Sequence, residues 1–377
     1  MKVAILKETY EGETRVAASP ETVKKLVALG ADVAVQSDAG DSAYFADAVF
    51  AEMGATIAND YSDALNGADV VFKVRPPTDA ELGAMKQGAL VCAMFNPYGE
   101  KERLAAYAQA GVVACAMELM PRITRAQSMD VLSSQSNLAG YKAVLDAAAI
   151  YPRALPMMMT AAGTVAAARI FIMGAGVAGL QAIATARRLG AIVTATDVRA
   201  AAKEQVESLG ASFVMVESEE SGDGGGGYAK EMSDEYRKKQ AELVAEHIKK
   251  QDIVITTALI PGRPAPELVS EEMVKSMKPG AILVDLAVEQ GGNCPLSRPG
   301  EIVDVHGVRI MGHKNVPGRL PVDASSLYAK NLLNFLTPLV DKESKELNIN
   351  WEDEIITGVA LTRDGSVIHP NFLDGGN

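Results

Sequence analysis

Little freedom is left to a chain that carries Gly174-Ala175-Gly176-Val177-Ala178-Gly179 between the apolar run Ile170-Phe171-Ile172-Met173 and a helix-like stretch over 180–189. A second apolar run, Val193-Thr194-Ala195, leads to Asp197, which stands 18 positions after the last glycine. Strand, glycine turn, helix, strand and acid in that order read as a dinucleotide-binding βαβ unit. Gly174 permits the tight turn, Gly176 lets the backbone approach a pyrophosphate, and Gly179 lets helix and strand pack closely. The helix N-terminus then offers its amides to the anion. The whole turn, including Ala175, Val177 and Ala178, is the candidate cofactor-binding segment. Asp197 would accept hydrogen bonds from the adenosine ribose and repel a 2′-phosphate, which favours NAD. Arg199 is the counter-signal, because an arginine there accommodates that phosphate. The bland alternative is that the glycines only pack a strand on a helix.

The rest of the chain repeats this rhythm. Val3-Ala4-Ile5, Val33-Ala34-Val35, Val70-Val71-Phe72, Leu90-Val91-Cys92 and Val112-Val113-Ala114 read as buried strands, with helices expected over 20–29, 80–85 and 101–110. Further strands are expected at 170–172, 193–195, 213–214, 253–255, 282–284 and 308–310. Strand and helix in alternation predict parallel sheets covered on both faces. The expected fold is α/β, with two Rossmann-like doubly wound domains and a cleft between them. The polar run Ser133-Ser134-Gln135-Ser136-Asn137 marks the boundary before a helix over 138–150, and a second long helix is expected over 325–336. Two long helices flanking one domain predict a discontinuous first domain of residues 1–133 plus 325–377, interrupted by a nucleotide-binding domain over 134–324. The tail contributes a hairpin-like segment over 355–368. Residues 221–227, Ser-Gly-Asp followed by four glycines, are expected to be a mobile loop.

Composition removes several classes of function. With 36 Lys and Arg against 48 Asp and Glu, the net charge is −12, and no basic face is available for nucleic acid. Cys92, Cys115 and Cys294 are odd in number and far apart, which excludes a disulfide framework and structural zinc and fits a reducing cytoplasm. No export signal is expected, because Lys7-Glu8 stops the first apolar run. The stretch 154–186 has Arg169 as its only charge but is broken by glycines, so it reads as strand, turn and helix rather than a membrane span. Met157, Met158 and Met159 are expected to be flexible core filling.

A dehydrogenase acting on an alcohol or amine needs a group that moves a proton, commonly histidine. No histidine precedes His247, which excludes a catalytic histidine in the first domain; Arg15 and Lys73 remain as charged candidates there. The run 118–130 brings Arg122, Arg125, Gln127 and Asp130 together beside the expected cleft. That set either hydrogen-bonds a nicotinamide carboxamide and its ribose or is an Arg–Asp pair bracing a loop.

Glu118-Leu119-Met120-Pro121-Arg122, Arg125-Ala126-Gln127-Ser128-Met129-Asp130, Ser133 through Tyr141, the glycine turn, Gly227-Tyr228-Ala229-Lys230, Thr256 through Gly262 and Gly291-Gly292-Asn293-Cys294 together resemble the NAD(H)-binding component of proton-translocating NAD(P) transhydrogenase. That family is related to alanine dehydrogenase, and the likeness runs from Met1 to about Pro370. It implies that Arg122, Gln127, Asp130 and Ser133 hold the nicotinamide end. It also implies that Asp197, Val198, Arg199, Thr257 and Ala258 bind the cofactor with the turn, and that Tyr228 tips a loop that closes over bound nucleotide. Arg15 and Lys73 match substrate-binding positions of alanine dehydrogenase. The stretch Ala93-Met94-Phe95-Asn96 lacks that enzyme's histidine, and Glu289 replaces its aspartate. Transhydrogenation needs no such acid or base. The resemblance therefore implies a homodimeric NAD(H)-binding subunit, peripheral on the inner face of the cell membrane, that exchanges hydride with NADP(H) on a partner subunit beside proton-translocating membrane subunits. An alanine dehydrogenase-like enzyme and a non-catalytic NAD-binding protein are the alternatives.

Overall fold

The computed structural model describes residues 1–216, 233–260 and 262–373. Tyr228, the glycine-rich run 221–227 and Pro261 lie outside the described residues. The chain divides into two compact units, Met1–Gln135 with Gly318–Asn377, and Ser136–Pro317.

The first unit alternates β1 (Lys2–Ile5), α1 (Pro20–Ala28), β2 (Asp32–Gln36), α2 (Asp47–Glu52), β3 (Thr56–Ala58), α3 (Tyr61–Leu65), β4 (Val70–Phe72), α4 (Asp79–Ala84), β5 (Leu90–Ala93), α5 (Lys101–Gln109) and β6 (Val113–Ala116). Its sheet has the order β3-β2-β1-β4-β5-β6, parallel throughout. Alternate residues of each strand enter opposite cores. Val3, Ile5, Val70 and Phe72 face one layer, whereas Ala4, Val71 and Val91 face the other. This two-sided burial is why the strands read as unbroken apolar runs. Local caps set where helices start. Ser19 caps α1 in a reciprocal box with Thr22 ahead of Pro20, and Thr78 caps α4 with Glu81.

A 20-residue helix, α6 (Val131–Ile150), carries the chain on. The second unit contains a hairpin of β7 (Met158–Thr160) and β8 (Gly163–Val165), then β9 (Arg169–Met173), α7 (Val177–Arg188), β10 (Ile192–Thr196), α8 (Ala202–Ser208), β11 (Ser212–Phe213), α9 (Asp234–Ile248), β12 (Ile253–Thr256), α10 (Glu271–Ser276), β13 (Ile282–Asp285), β14 (Ile302–Val305) and β15 (Val308–Met311). The large sheet runs β11-β10-β9-β12-β13-β15-β14, with β14 alone antiparallel to its neighbour. Helices α6, α7 and α8 supply one core layer and α9 and α10 the other. The chain then returns to the first unit through α11 (Pro321–Leu336), α12 (Glu354–Val359) and a small hairpin of β16 (Thr362–Arg363) and β17 (Ser366–Val367).

Four expectations need correction. The serines at 133–137 do not precede a helix but lie inside α6, because Asp130 supplies the cap one turn earlier than the apolar pattern suggests. The segment 355–368 is not one hairpin, since its first half is the helix α12. Strand β11 begins one residue earlier than expected, at Ser212, and the short elements β3, β14, α2 and α3 carry too little periodicity to be read. Met157, Met158 and Met159 are not core filling, being 58 %, 44 % and 78 % exposed at the β7–β8 hairpin. The stretch 154–186 resolves into that hairpin, β9 and α7. Among the described residues no helix is long and apolar enough to cross a membrane.

Candidate functional site

The glycine turn sits at the C-terminal end of β9, the strand where the sheet order reverses, between β10 and β12. Gly174 N–H donates to Thr196 O (2.9 Å) and Thr257 N–H donates to Met173 O (2.9 Å), so both neighbouring strands hold it. Gly174 has φ +104°, and a Cβ there would lie 2.4 Å from Thr257 Oγ1. At Gly179 a Cβ would come within 1.8 Å of Gly174 O, so that glycine is what lets α7 start this close to the strand. Gly176 behaves differently. A Cβ there meets no atom of this chain within 4 Å, so the chain's own packing does not require the glycine. Gly176 is also the N-cap of α7 and gives it no side-chain cap. The first-turn amides at Val177 and Ala178 have no carbonyl partner within the helix. The geometry fits close approach of an anionic group.

Asp197 follows β10, and its environment is more crowded than the sequence suggests. One carboxylate oxygen accepts from Ala175 N (2.8 Å), while Arg199 reaches both oxygens through Nε (2.8 Å) and Nη2 (2.7 Å), and Arg199 N adds a bond of 2.9 Å. Burial pushes this carboxyl upward, but the Arg199 bonds and the Ala175 amide outweigh it, holding the group below the usual carboxylate range. Asp197 and Arg199 are thus one unit rather than opposing signals. Val198 lies between them, half-buried. Thr257 Oγ1 donates to Gly174 O (3.1 Å). Ala258 is gripped by a residue to which the sequence alone gives no role. Asn293 Oδ1 accepts from Ala258 N (3.2 Å) and its Nδ2 donates to Ala258 O (2.9 Å).

In the first unit, Arg122 and Gln127 are exposed, Arg122 just ahead of a short 3₁₀ segment, Thr124–Met129, and Gln127 within it. Asp130 accepts from Ser133 N (2.9 Å) and Ser133 Oγ (2.6 Å), so these two residues form the N-terminal cap of α6. The segment is braced by Arg125, which donates to both oxygens of Asp353 (2.6 and 2.7 Å). Asn331 and Asn334 of α11 both donate to Ser128 O (2.8 and 3.0 Å). Gln127 therefore projects from a turn anchored on both sides.

The two cations matched to substrate positions of alanine dehydrogenase are already spent. Arg15, 4 % exposed, donates to Glu13 through Nε and Nη2 (2.7 Å each) and to Gln135 Oε1 (2.9 Å). Lys73, 1 % exposed, pairs with Glu81 at 2.8 Å and with Glu8 at 3.9 Å. Burial pushes Glu8 up to about 7 despite Lys73, whereas Arg15 and Arg75 overcome burial at Glu13 and hold it at about 2. Glu118 is pushed up to about 7 by burial; its Oε1 accepts from Asn96 N (2.5 Å), and its Oε2 has no partner. Glu289 accepts from Asn315 N (2.9 Å). The exclusion of histidine from the first domain needs correction, because the returning tail brings His369 into this unit. Both of its ring nitrogens are engaged, with Gly358 O (3.1 Å) and Asn371 N (3.2 Å), so it is a structural cap.

A doubly wound sheet with a glycine turn at its switch strand and an acid after the next strand defines the dinucleotide-fold α/β class. Within it, residues 4–139 match the family model described as alanine dehydrogenase/PNT, N-terminal domain, and residues 143–370 match the C-terminal domain of the same family. The chain belongs to the alanine dehydrogenase/PNT family. It is 58 % identical over 383 aligned positions to the first portion of the split NAD(P) transhydrogenase subunit alpha of Rhodospirillum rubrum, covering 100 % of both chains. It is 30 % identical to alanine dehydrogenase 1 of Staphylococcus aureus, covering 97 % of each. Among solved structures, transhydrogenase from Sinorhizobium meliloti superposes with a TM-score of 0.89 at 57 % identity, over 98 % of this chain and 100 % of that one. An L-alanine dehydrogenase superposes with a TM-score of 0.83 at 25 % identity, over 99 % and 98 %.

Proposed function

We propose that this chain is the NAD(H)-binding component of a proton-translocating transhydrogenase. In this reading it holds NADH and presents it to NADP⁺ on a partner subunit, with membrane subunits coupling the exchange to proton movement. One contrast carries the reading. The turn and acid of a dinucleotide site are complete, while Arg15 and Lys73, which an amino-acid dehydrogenase needs for its substrate carboxylate, are closed onto buried glutamates. Bound NADH supplies a hydride, which carries its own electron pair, so no side chain has to take or give a proton. The protein's task is to orient the ring and exclude water.

The residues divide that task. The amides at Val177 and Ala178 face the pyrophosphate, Asp197 with Arg199 receives the adenosine ribose, and Thr257 with Ala258 forms the adjoining wall. Arg122, Gln127, Asp130 and Ser133 hold the carboxamide end, and Tyr228 closes over the nucleotide. In the same reading the chain forms a homodimer and sits on the inner face of the membrane through its partners. The uncharged β7–β8 hairpin, with its exposed methionines, is the surface we assign to the second copy.

Mixing the chain with an NADP⁺-binding partner should give hydride exchange between NADH and an NADP⁺ analogue; no exchange at saturating nucleotide sinks the proposal. NADH oxidation by the isolated chain with pyruvate and ammonia would instead favour the alanine dehydrogenase reading. Binding of NADH with no exchange toward any partner would favour a non-catalytic binding protein.

A further inference from the structure

The motif Gly291-Gly292-Asn293-Cys294 supplies none of the groups assigned to the nucleotide, yet the structure surrounds it with polar order. Asp285, at the end of β13 and 1 % exposed, accepts from Ala287 N (2.9 Å), Asn293 N (2.8 Å), Cys294 N (3.1 Å) and Ser297 Oγ (2.7 Å). Gly292, at φ +80°, passes so close that a Cβ would lie 2.8 Å from Asp285 Oδ2, which is why no side chain fits there. Asn293 itself is fully buried. Its amide takes both backbone groups of Ala258 and also donates to Pro266 O (2.8 Å). Its backbone carbonyl accepts from Leu268 N (2.8 Å) and Val269 N (3.1 Å).

We infer that Asn293 is a positioning residue for the dinucleotide, acting through Ala258 and Thr257 on the glycine turn; the inference rests on the nucleotide-site reading above. The chain of contacts is continuous. Asp285 fixes Asn293, Asn293 fixes Ala258 just past the end of β12, and neighbouring Thr257 bonds the carbonyl of Gly174 just past the end of β9. Three strand ends are thereby tied into one rigid wall beside the turn that receives the pyrophosphate. Because the amide of Asn293 satisfies Ala258 N and O together, the contribution of Ala258 is shape. Losing that amide would leave both backbone groups unpaired and free the wall to move.

The test is the NADH dissociation constant, measured by nicotinamide fluorescence at a temperature where circular dichroism shows every variant fully folded. Asn293→Ala and Asn293→Asp, the latter keeping the shape but losing both donated bonds, should raise it about tenfold. In Asn293→Ala the Ala258 amide should also exchange faster with deuterium. Ser270→Ala, which removes the side-chain cap of α10 at a distance in sequence from the motif, is the control. It should lower the melting temperature and leave the dissociation constant within about twofold of the parent. Unaltered affinity in both Asn293 variants overturns the inference, as does an equal loss in Ser270→Ala, which would mark a general stability effect. Should the Asn293 variants not fold, Ser297→Ala, which removes one donor to Asp285, must raise the dissociation constant in the same direction, and no change overturns the inference. A parent chain that does not bind NADH removes the nucleotide-site reading itself, a result distinct from unaltered affinity in the variants.

Discussion

Asp197 reads in the sequence as an isolated acid, yet it is held in place by Arg199 and by the amide of Ala175 inside the glycine turn. Asp197→Ala should therefore weaken NADH by about 1–3 kcal/mol, read as a rise in the dissociation constant. It should also release Arg199, so the loss for NADPH should be smaller. Equal losses for the two nucleotides would argue against the pair setting selectivity. Gln127 is exposed on a turn whose backbone is pinned by Asn331 and Asn334. Gln127→Asn should slow hydride exchange far more than it weakens NADH, and an unchanged rate would rule out its positioning role. Glu118 reports on pH. Its folded pKa of about 7 stands above the ordinary 4.5, so the folded state holds this proton more tightly than the unfolded chain does. The resulting stability is complete below pH 4.5 and is lost as pH rises to about 7. Glu118→Gln keeps the acceptor for Asn96 N and removes the charge. Its melting temperature should exceed the parent's by a few degrees at about pH 8 and converge with it near pH 4.5; parallel curves would contradict this assignment.

At the scale of elements, the helices around the turn are set by absent side chains. Gly140 of α6 lies so close to α7 that a Cβ would sit 2.0 Å from Ala178 O. Gly140→Ala should cost about 1–3 kcal/mol of stability through overpacking, measured by urea unfolding, and should weaken NADH because it displaces the start of α7. Stability equal to the parent's would mean that α6 can retreat at no cost. The β7–β8 hairpin pairs with no other strand of the described residues and exposes Met158 and Met159. Replacing both with serine should shift sedimentation from dimer toward monomer without loss of helix content, and an unmoved sedimentation coefficient would place the dimer contact elsewhere. This hairpin shows where sequence reading stops. A run of three methionines looks apolar and hence buried, but burial depends on what else reaches that surface.

For the whole molecule, the parallel sheets are legible because strands buried on both faces must be apolar at nearly every position, as β1, β5, β12 and β13 are. The glycine turn is legible because φ values and close approaches leave no substitute at Gly174 and Gly179. The short strands β3 and β14 are not, since three or four residues at a sheet edge carry no period of their own. Nor can the polar pairings be read, because most join residues far apart in the chain. Arg15 with Gln135, Lys73 with Glu81, Asn293 with Ala258 and Asp285 with its four donors are contacts that exist only once the strand ends converge. By itself the sequence determined the α/β class, the dinucleotide turn and the family resemblance, since each depends on local spacing and backbone sterics. Tertiary structure alone decided that Arg15 and Lys73 are neutralised, that Asp197 and Arg199 form one unit, and that Asn293 grips Ala258 beside the turn. Hydrogen bonds and ion pairs are short-ranged, and only the folded chain brings their partners within reach.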